Sequence, residues 1–204
     1  MIDFYTYPTP NGRKISVMLE EVELPYTVHV VNITKNEQFT PEFLALNPNN
    51  KIPVIVDSDG PGGKPITLFE SGAILIYLAE KTGKFLPSEP RARYTTLQWL
   101  MFQMGNLGPM LGQLHHFLHA AQEDVPYGKE RYGAEARRLY KVMNTRLGAV
   151  EYLAGDYSIA DIAAFPWVVS YKRQAIDLDA YPNVRRWFDA VKARPKVQKG
   201  MTIP

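Results

Sequence analysis

The chain has 204 residues, a formal net charge of +2 and no cysteine. That length accommodates one large domain or two modest ones, with enough core to fold without staples. The missing cysteines exclude disulfides, thiolate metal sites and a cysteine nucleophile, so any thiol chemistry must use a thiol carried in by a ligand. No block of like charge is long enough to serve as a nucleic-acid arm, and Arg131, Arg137, Arg138 and Lys141 read as a solvated helix face. The amino terminus lacks a basic segment followed by an apolar one, and no run approaches the ~18 apolar residues of a membrane span. A soluble cytoplasmic protein, with neither nucleic acid nor membrane as partner, is expected.

In chain order, residues 2–6 alternate as a strand. Asn11-Gly12-Arg13-Lys14-Ile15 then opens a helical pattern with Ile15, Val17, Met18 and Val22 on one side. Residues 26–33 read as a second strand and 38–46 as a short helix. Val54-Ile55-Val56 is a third strand, and a glycine- and proline-rich turn over 57–65 leads into a fourth at 66–69. A helix over 71–81 completes a βαβαββα unit, an α+β arrangement whose parallel crossover obeys the right-handed rule. Residues 82–90 carry one glycine and two prolines and read as a linker between a domain over 1–81 and an all-helical bundle over 91–204.

In that second part Leu97, Leu100, Met104, Leu107, Leu111, Leu114 and Leu118 recur at three- and four-residue steps. Pro109 within this helix predicts a bend near Gly108-Pro109, since a proline in a helix interior costs about 3 kcal/mol and removes a hydrogen bond. A second helix spans 127–152 with Tyr132, Ala136, Leu139, Tyr140, Met143 and Leu147 inward. Ser158-Ile159-Ala160-Asp161 fits a capping box, with Asp161 in place of the usual glutamate. A last helix is expected over 183–193.

Two short segments carry the chemistry. Ile52-Pro53 stands at the mouth of the third strand, and an X-Pro bond prefers trans by only about 0.5–1 kcal/mol. Held cis, it leaves the backbone of Ile52 free to pair with an extended peptide, which docks as an added strand. Glu70-Ser71 precedes the apolar run Gly72-Ala73-Ile74-Leu75 and reads as a helix start with Ser71 as cap, a place that attracts a carboxylate. Taken separately, a loop-shaping proline and a simple cap explain both segments.

Asn50-Lys51-Ile52-Pro53-Val54 followed by Phe69-Glu70-Ser71-Gly72 resembles the thioredoxin-like domain of cytosolic glutathione transferases, and the likeness extends over the whole chain, including the Ser158 to Asp161 cap. Within that superfamily Tyr7-Pro8-Thr9-Pro10-Asn11-Gly12-Arg13-Lys14-Ile15, Gln38, Ser71 and Gln113-Leu114-His115-His116-Phe117 are most similar to the bacterial nu class. The resemblance implies a glutathione-binding thioredoxin-like domain before an all-helical domain, a homodimer, and one glutathione disulfide or two glutathiones per site. It also implies glutathione-dependent reduction of disulfides.

Under this resemblance Ser71 takes the γ-glutamyl carboxylate of glutathione, Glu70 its ammonium group and Lys51 the glycine carboxylate. Asn50, Ile52, Pro53 and Gln38 line the same peptide. Thr9 and Asn11 stand where related classes hold the glutathione sulfur, with Tyr5 and Tyr7 as rival donors. Arg131, and less directly Gln113 and His116, meet a second glutathione. His115, His116 and His119 share one helical turn without a nearby acid and read as cleft or packing residues; no metal is expected. The alternatives are conjugation to electrophiles or reduction of hydroperoxides, and a non-catalytic interaction protein on the same fold.

Overall fold

Ile2, Phe4 and Thr6 alternate with Asp3 and Tyr5, and the first set is buried while the second is half-buried. This period of two is that of a strand, and β1 (Ile2–Thr6) is one of the two inner strands of a four-stranded sheet in the order β2-β1-β3-β4. β2 (Tyr26–Val30) runs parallel to β1, and β3 (Val54–Asp57) and β4 (Ile66–Phe69) complete the sheet with antiparallel ladders. α1 (Pro10–Val22) and α3 (Ser71–Thr82) pack together, burying Ile15, Met18, Ile74, Leu75 and Leu78. The short α2 (Pro41–Leu46) places Phe43 and Leu46 in a separate cluster with Tyr5, Val31, Ile52 and Val54. The two faces of β1 therefore look into two different cores.

The computed structural model describes all 204 residues and divides them into two units, Met1–Lys84 with Arg194–Pro204, and Phe85–Ala193. The sequence places residues 194–204 with the helical region. Instead they form α9 (Pro195–Gly200), which packs on α1 of the first unit after α8 (Pro182–Lys192) has ended. Three ion pairs tie this segment down: Arg194 to Glu21 at 2.7 Å, Lys196 to Glu23 at 2.6 Å and Lys199 to Glu20 at 2.9 Å.

Gly200 lets the two backbones touch, since a Cβ there would lie 2.5 Å from the Cα and 2.7 Å from the backbone nitrogen of Val17. Ser16 Oγ seals the contact by donating to the carbonyl of Gly200 at 2.7 Å. Gly200→Ala is expected to destabilise the first unit by about 1–3 kcal/mol, the usual penalty for overpacking, read as a fall of several degrees in its thermal midpoint.

The second unit is helical. α4 (Pro90–Phe102) and α5 (Gly108–His115) are joined by a π-helical turn at Gln103–Leu107, and a second π turn, His116–Ala120, follows α5. The sequence predicts a bend at Gly108-Pro109. At that position the helical hydrogen-bonding pattern widens into this π turn: Leu107 and Gly108 keep right-handed helical dihedrals, and the Gly108 N–H reaches back five residues to Gln103. α6 (Pro126–Ala149) buries Ala136, Leu139, Tyr140, Met143 and Leu147, and α7 (Ile159–Val168) is buried along nearly its whole length. No helix is long and apolar enough to cross a membrane.

The capping box at the start of α7 is formed, and Asp161 does more than cap. Its fully buried carboxylate accepts from the Ser158 N–H at 3.0 Å, the Ser158 hydroxyl at 3.2 Å, the Leu153 N–H at 2.9 Å and the Trp187 indole N–H at 2.8 Å. One side chain thus joins α7, the loop before it and α8.

Candidate functional site

The strand register brings the predicted segments to one end of the sheet. Tyr5 lies opposite Val54, and Val54 opposite Phe69. Because both ladders are antiparallel, the residues that follow β1, those that precede β3 and those that follow β4 emerge side by side. These are Tyr7 to Asn11, Asn50 to Pro53, and Glu70 with Ser71.

After β1 the chain turns sharply, with the Thr9 N–H donating to the Tyr7 carbonyl at 2.7 Å. Thr9 is extended at φ −126° and caps α1, its hydroxyl oxygen accepting from the Gly12 N–H at 3.2 Å. With the oxygen so engaged, the hydroxyl proton remains for donation. Gly12 permits the tight junction, because a Cβ there would lie 2.4 Å from Thr6 Oγ1 and 2.5 Å from the Tyr7 carbonyl oxygen. Thr9 and Asn11, both half-exposed, thus flank the positive end of α1.

The Ile52-Pro53 peptide is cis. Asn47, almost fully buried, organises the preceding loop: its side-chain amide donates to the Lys51 carbonyl at 2.7 Å, and its own carbonyl accepts from the Asn50 N–H at 3.0 Å. Asn50 adopts a left-handed φ of 48°, which asparagine tolerates better than most residues. Ile52 lies beyond the end of the β3 ladder, its side chain packed on the α2-face cluster and its peptide groups outside the sheet pairing. Lys51 is exposed.

At the start of α3 the structure corrects one expectation. Ser71 is not the cap; Glu70 occupies that position with a left-handed φ of 68°, and no side chain caps the helix. Ser71 is the first helical residue and is buried, and its Oγ accepts from the ammonium of Lys14 at 3.3 Å. Glu70 itself is exposed beside it. The amino terminus of α3 thus has no side-chain cap, and its positive end favours an anion.

Gln38 sits in a 3-10 turn at Glu37–Phe39, and its Oε1 is buried without a hydrogen-bond partner. Tyr5 belongs to the other face of the sheet, stacked on His29 with ring centres 4.6 Å apart, while His29 Nε2 meets Asp3 at 2.7 Å. Tyr7 lies just past the strand, half-buried. Arg131 is exposed on α6, and Gln113 and His116 are exposed in and after α5, all within the second unit. The His115 and His119 rings lie 5.0 Å apart, and His119 Nε2 is 2.7 Å from the Arg173 carbonyl oxygen. Burial, with Arg173 and His119 adding to it, lowers the His115 pKa, so this imidazole favours the neutral form.

Lys14 is the site residue that sequence reasoning passed over. It is 1% exposed, between the α1 face and the start of α3. A signal was present: Lys14 lies three and four residues before Val17 and Met18, on the apolar stripe of its own helix.

Known proteins share this sequence pattern and fold. The amino-terminal domain model of glutathione S-transferases matches residues 9–81, and the carboxyl-terminal domain model matches residues 109–195. The disulfide-bond oxidoreductase YfcG of Escherichia coli is 58% identical over 96% of this chain and 92% of its own length. A glutathione transferase from Pseudomonas putida, solved with one glutathione disulfide bound per subunit, superposes with a TM-score of 0.95 at 47% identity, covering 100% of this chain and 91% of that one. A Burkholderia graminis glutathione transferase, solved with two glutathione molecules per subunit, gives a TM-score of 0.94 at 50% identity, covering 100% and 88%. With both domain models matched and close relatives aligned along nearly its full length, this chain belongs to the glutathione S-transferase family.

Proposed function

We propose that this protein is an enzyme that reduces disulfide bonds with glutathione, using the ligand's thiol in place of a cysteine of its own. The observation that carries the reading is the convergence of Thr9-Asn11, Ile52-Pro53 and Glu70-Ser71 at one end of the sheet in a chain without cysteine. The relatives named above, one a disulfide-bond oxidoreductase and two holding glutathione or its disulfide, support it.

In this reading the Ile52 backbone pairs with the cysteinyl main chain of glutathione. The open amino terminus of α3 and Ser71 hold the γ-glutamyl carboxylate, and Glu70 holds the ammonium group. Lys51 meets the glycine carboxylate, and Asn50, Pro53 and Gln38 shape the same wall. The Thr9 hydroxyl and the Asn11 side chain face the sulfur and stabilise its thiolate, helped by the α1 terminus; an ordinary cysteine thiol titrates near 8.5.

The thiolate attacks one sulfur of the substrate disulfide, forming a new S–S bond while the other sulfur departs as a thiolate and takes a proton. The thiolate of a second glutathione attacks the glutathione sulfur of the mixed disulfide, forming glutathione disulfide while the remaining substrate sulfur departs as a thiolate and takes a proton. Two glutathiones are oxidised for each disulfide reduced. Arg131 is assigned to a carboxylate of glutathione, with Gln113 and His116 as polar neighbours of the second molecule.

A cytoplasmic homodimer completes the proposal, supported by Tyr94 and Met101, large side chains that α4 leaves exposed. Calorimetric titration with glutathione disulfide tests the site. Saturable binding of one molecule per chain is expected, and no binding of either glutathione or its disulfide would return the chain to the reading of an interaction protein.

A further inference from the structure

We propose that Lys14 is a positioning residue of this pocket: its buried ammonium, held on Ser71 Oγ, is the counter-charge that a γ-glutamyl carboxylate meets through Ser71, so that ligand binding and protonation of Lys14 are coupled. The inference rests on the glutathione reading of the site and adds a charge that the reading does not use.

Geometry carries it. Lys14 is 1% exposed, and its Nζ lies 3.3 Å from Ser71 Oγ, linking the helix that begins with Thr9 and Asn11 to the helix that begins with Glu70 and Ser71. A buried ammonium is stabilised by partners or loses its proton. Burial lowers the Lys14 pKa to about 7, with Glu70 pulling it back up.

Most other charges on the surrounding elements are engaged elsewhere; the exception is Arg13, whose Nη1 is buried without a hydrogen-bond partner. On α1 itself and on α9 they form the pairs Arg194 with Glu21, Lys196 with Glu23 and Lys199 with Glu20. Arg13, next to Lys14, is partly buried and depressed by that burial. On α3, Lys81 sits at the far end, paired with Asp57. On β1, Asp3 pairs with His29 on the opposite face of the sheet from Phe4 and Thr6.

The sign of the coupling follows. A carboxylate arriving at Ser71 favours the charged form of Lys14 and raises its pKa above 7. Binding then takes up a proton near neutrality, is strongest below pH 7, and weakens as pH rises from 7 toward the value in the complex. If Lys14 stays protonated in the complex, affinity falls about fivefold between pH 7 and 8.

The test is calorimetric titration with S-methylglutathione, whose blocked sulfur cannot titrate, in buffers of different ionisation enthalpy at pH 6.5–7.5. Uptake of up to about half a proton per ligand is expected at pH 7 for the wild-type protein. Lys14→Met, which keeps the length and apolar stem, is expected to bind about tenfold more weakly with no proton uptake. Wild-type binding without proton uptake overturns the role of Lys14 and leaves the pocket standing, and this readout decides even if Lys14→Met does not fold. Unchanged affinity in a folded Lys14→Met protein overturns it as well. Absence of any binding removes the glutathione site and this inference with it.

Discussion

Asp161→Ala is expected to destabilise the second unit by about 3–5 kcal/mol, lowering its thermal midpoint by about 10 °C or more. The magnitude follows from what the carboxylate holds. It is fully buried and accepts four hydrogen bonds, from Ser158 N–H and hydroxyl, Leu153 N–H and Trp187 indole N–H. Truncation strands three N–H donors where water does not reach, each at roughly 1–3 kcal/mol, and opens a cavity between α7 and α8. Asp161→Asn preserves the volume but turns an NH2 group toward N–H donors, so it is expected to recover only part of the loss.

Burial raises the Asp161 pKa to about 6 against the pull of these hydrogen bonds. The folded value lies above the ordinary carboxyl value, so this group's pH-dependent contribution is fully present below about pH 4 and is lost as pH rises through 6. The stability gap between wild type and Asp161→Asn should therefore be widest near pH 4 and narrow toward neutrality. Thermal unfolding of both proteins across that range, followed by tryptophan fluorescence since Trp187 reports directly on the site, checks magnitude and sign together.

The largest expected effect on activity comes from Thr9→Ala combined with Asn11→Ala. Hydrogen bonds to a charged group are worth about 1.5–3 kcal/mol, so losing both donors to the glutathione sulfur is expected to lower kcat/KM for disulfide reduction by about 100-fold or more. Thr9 also caps α1, and loss of that cap costs about 1 kcal/mol of stability. Thr9→Ser tests whether the hydroxyl alone serves both roles, since serine supplies both the cap and the proton and should restore stability and rate together. Glutathione affinity should fall much less than turnover, because the proposed site holds the peptide mainly at Ile52, Glu70 and Ser71. Unchanged turnover in the double alanine variant would move the sulfur contact elsewhere, with Tyr7 the next donor along the chain.

Much of the fold is legible from periodicity because local pattern and tertiary structure agree. The alternation of residues 2–6 gives β1, the inward residues of α6 follow the helical repeat, and the Ser158 to Asp161 spacing gives a cap that is present. The cis peptide before β3 is legible too, because a proline before an apolar run leaves a local signature.

What escapes reading is set by partners far away in sequence. α9 is a six-residue helix with no periodicity of its own, and it belongs to the first unit through ion pairs to residues 173 positions earlier. Ser71 reads as a cap because a hydroxyl before an apolar run normally is one. Here Lys14, 57 residues away, takes that oxygen, and Glu70 assumes the cap position in a left-handed conformation. Lys14 is missed for the complementary reason, since a lysine on an apolar stripe is ordinarily assumed to snorkel to water. The π turn before Pro109 leaves no local signature in the sequence, because only the wider hydrogen-bond ring, and not a residue type, marks it.

The central claim is that a protein without cysteine catalyses thiol-disulfide exchange with glutathione's own sulfur. The most direct test is the initial rate of glutathione oxidation by the purified protein with a small aliphatic disulfide, set beside its rate of conjugating glutathione to an aryl halide. The account predicts saturable disulfide turnover well above the uncatalysed exchange, two glutathiones consumed per disulfide, and the slower rate with the halide. No disulfide turnover above the uncatalysed rate, with conjugation proceeding, would contradict it and make the protein a conjugating transferase instead.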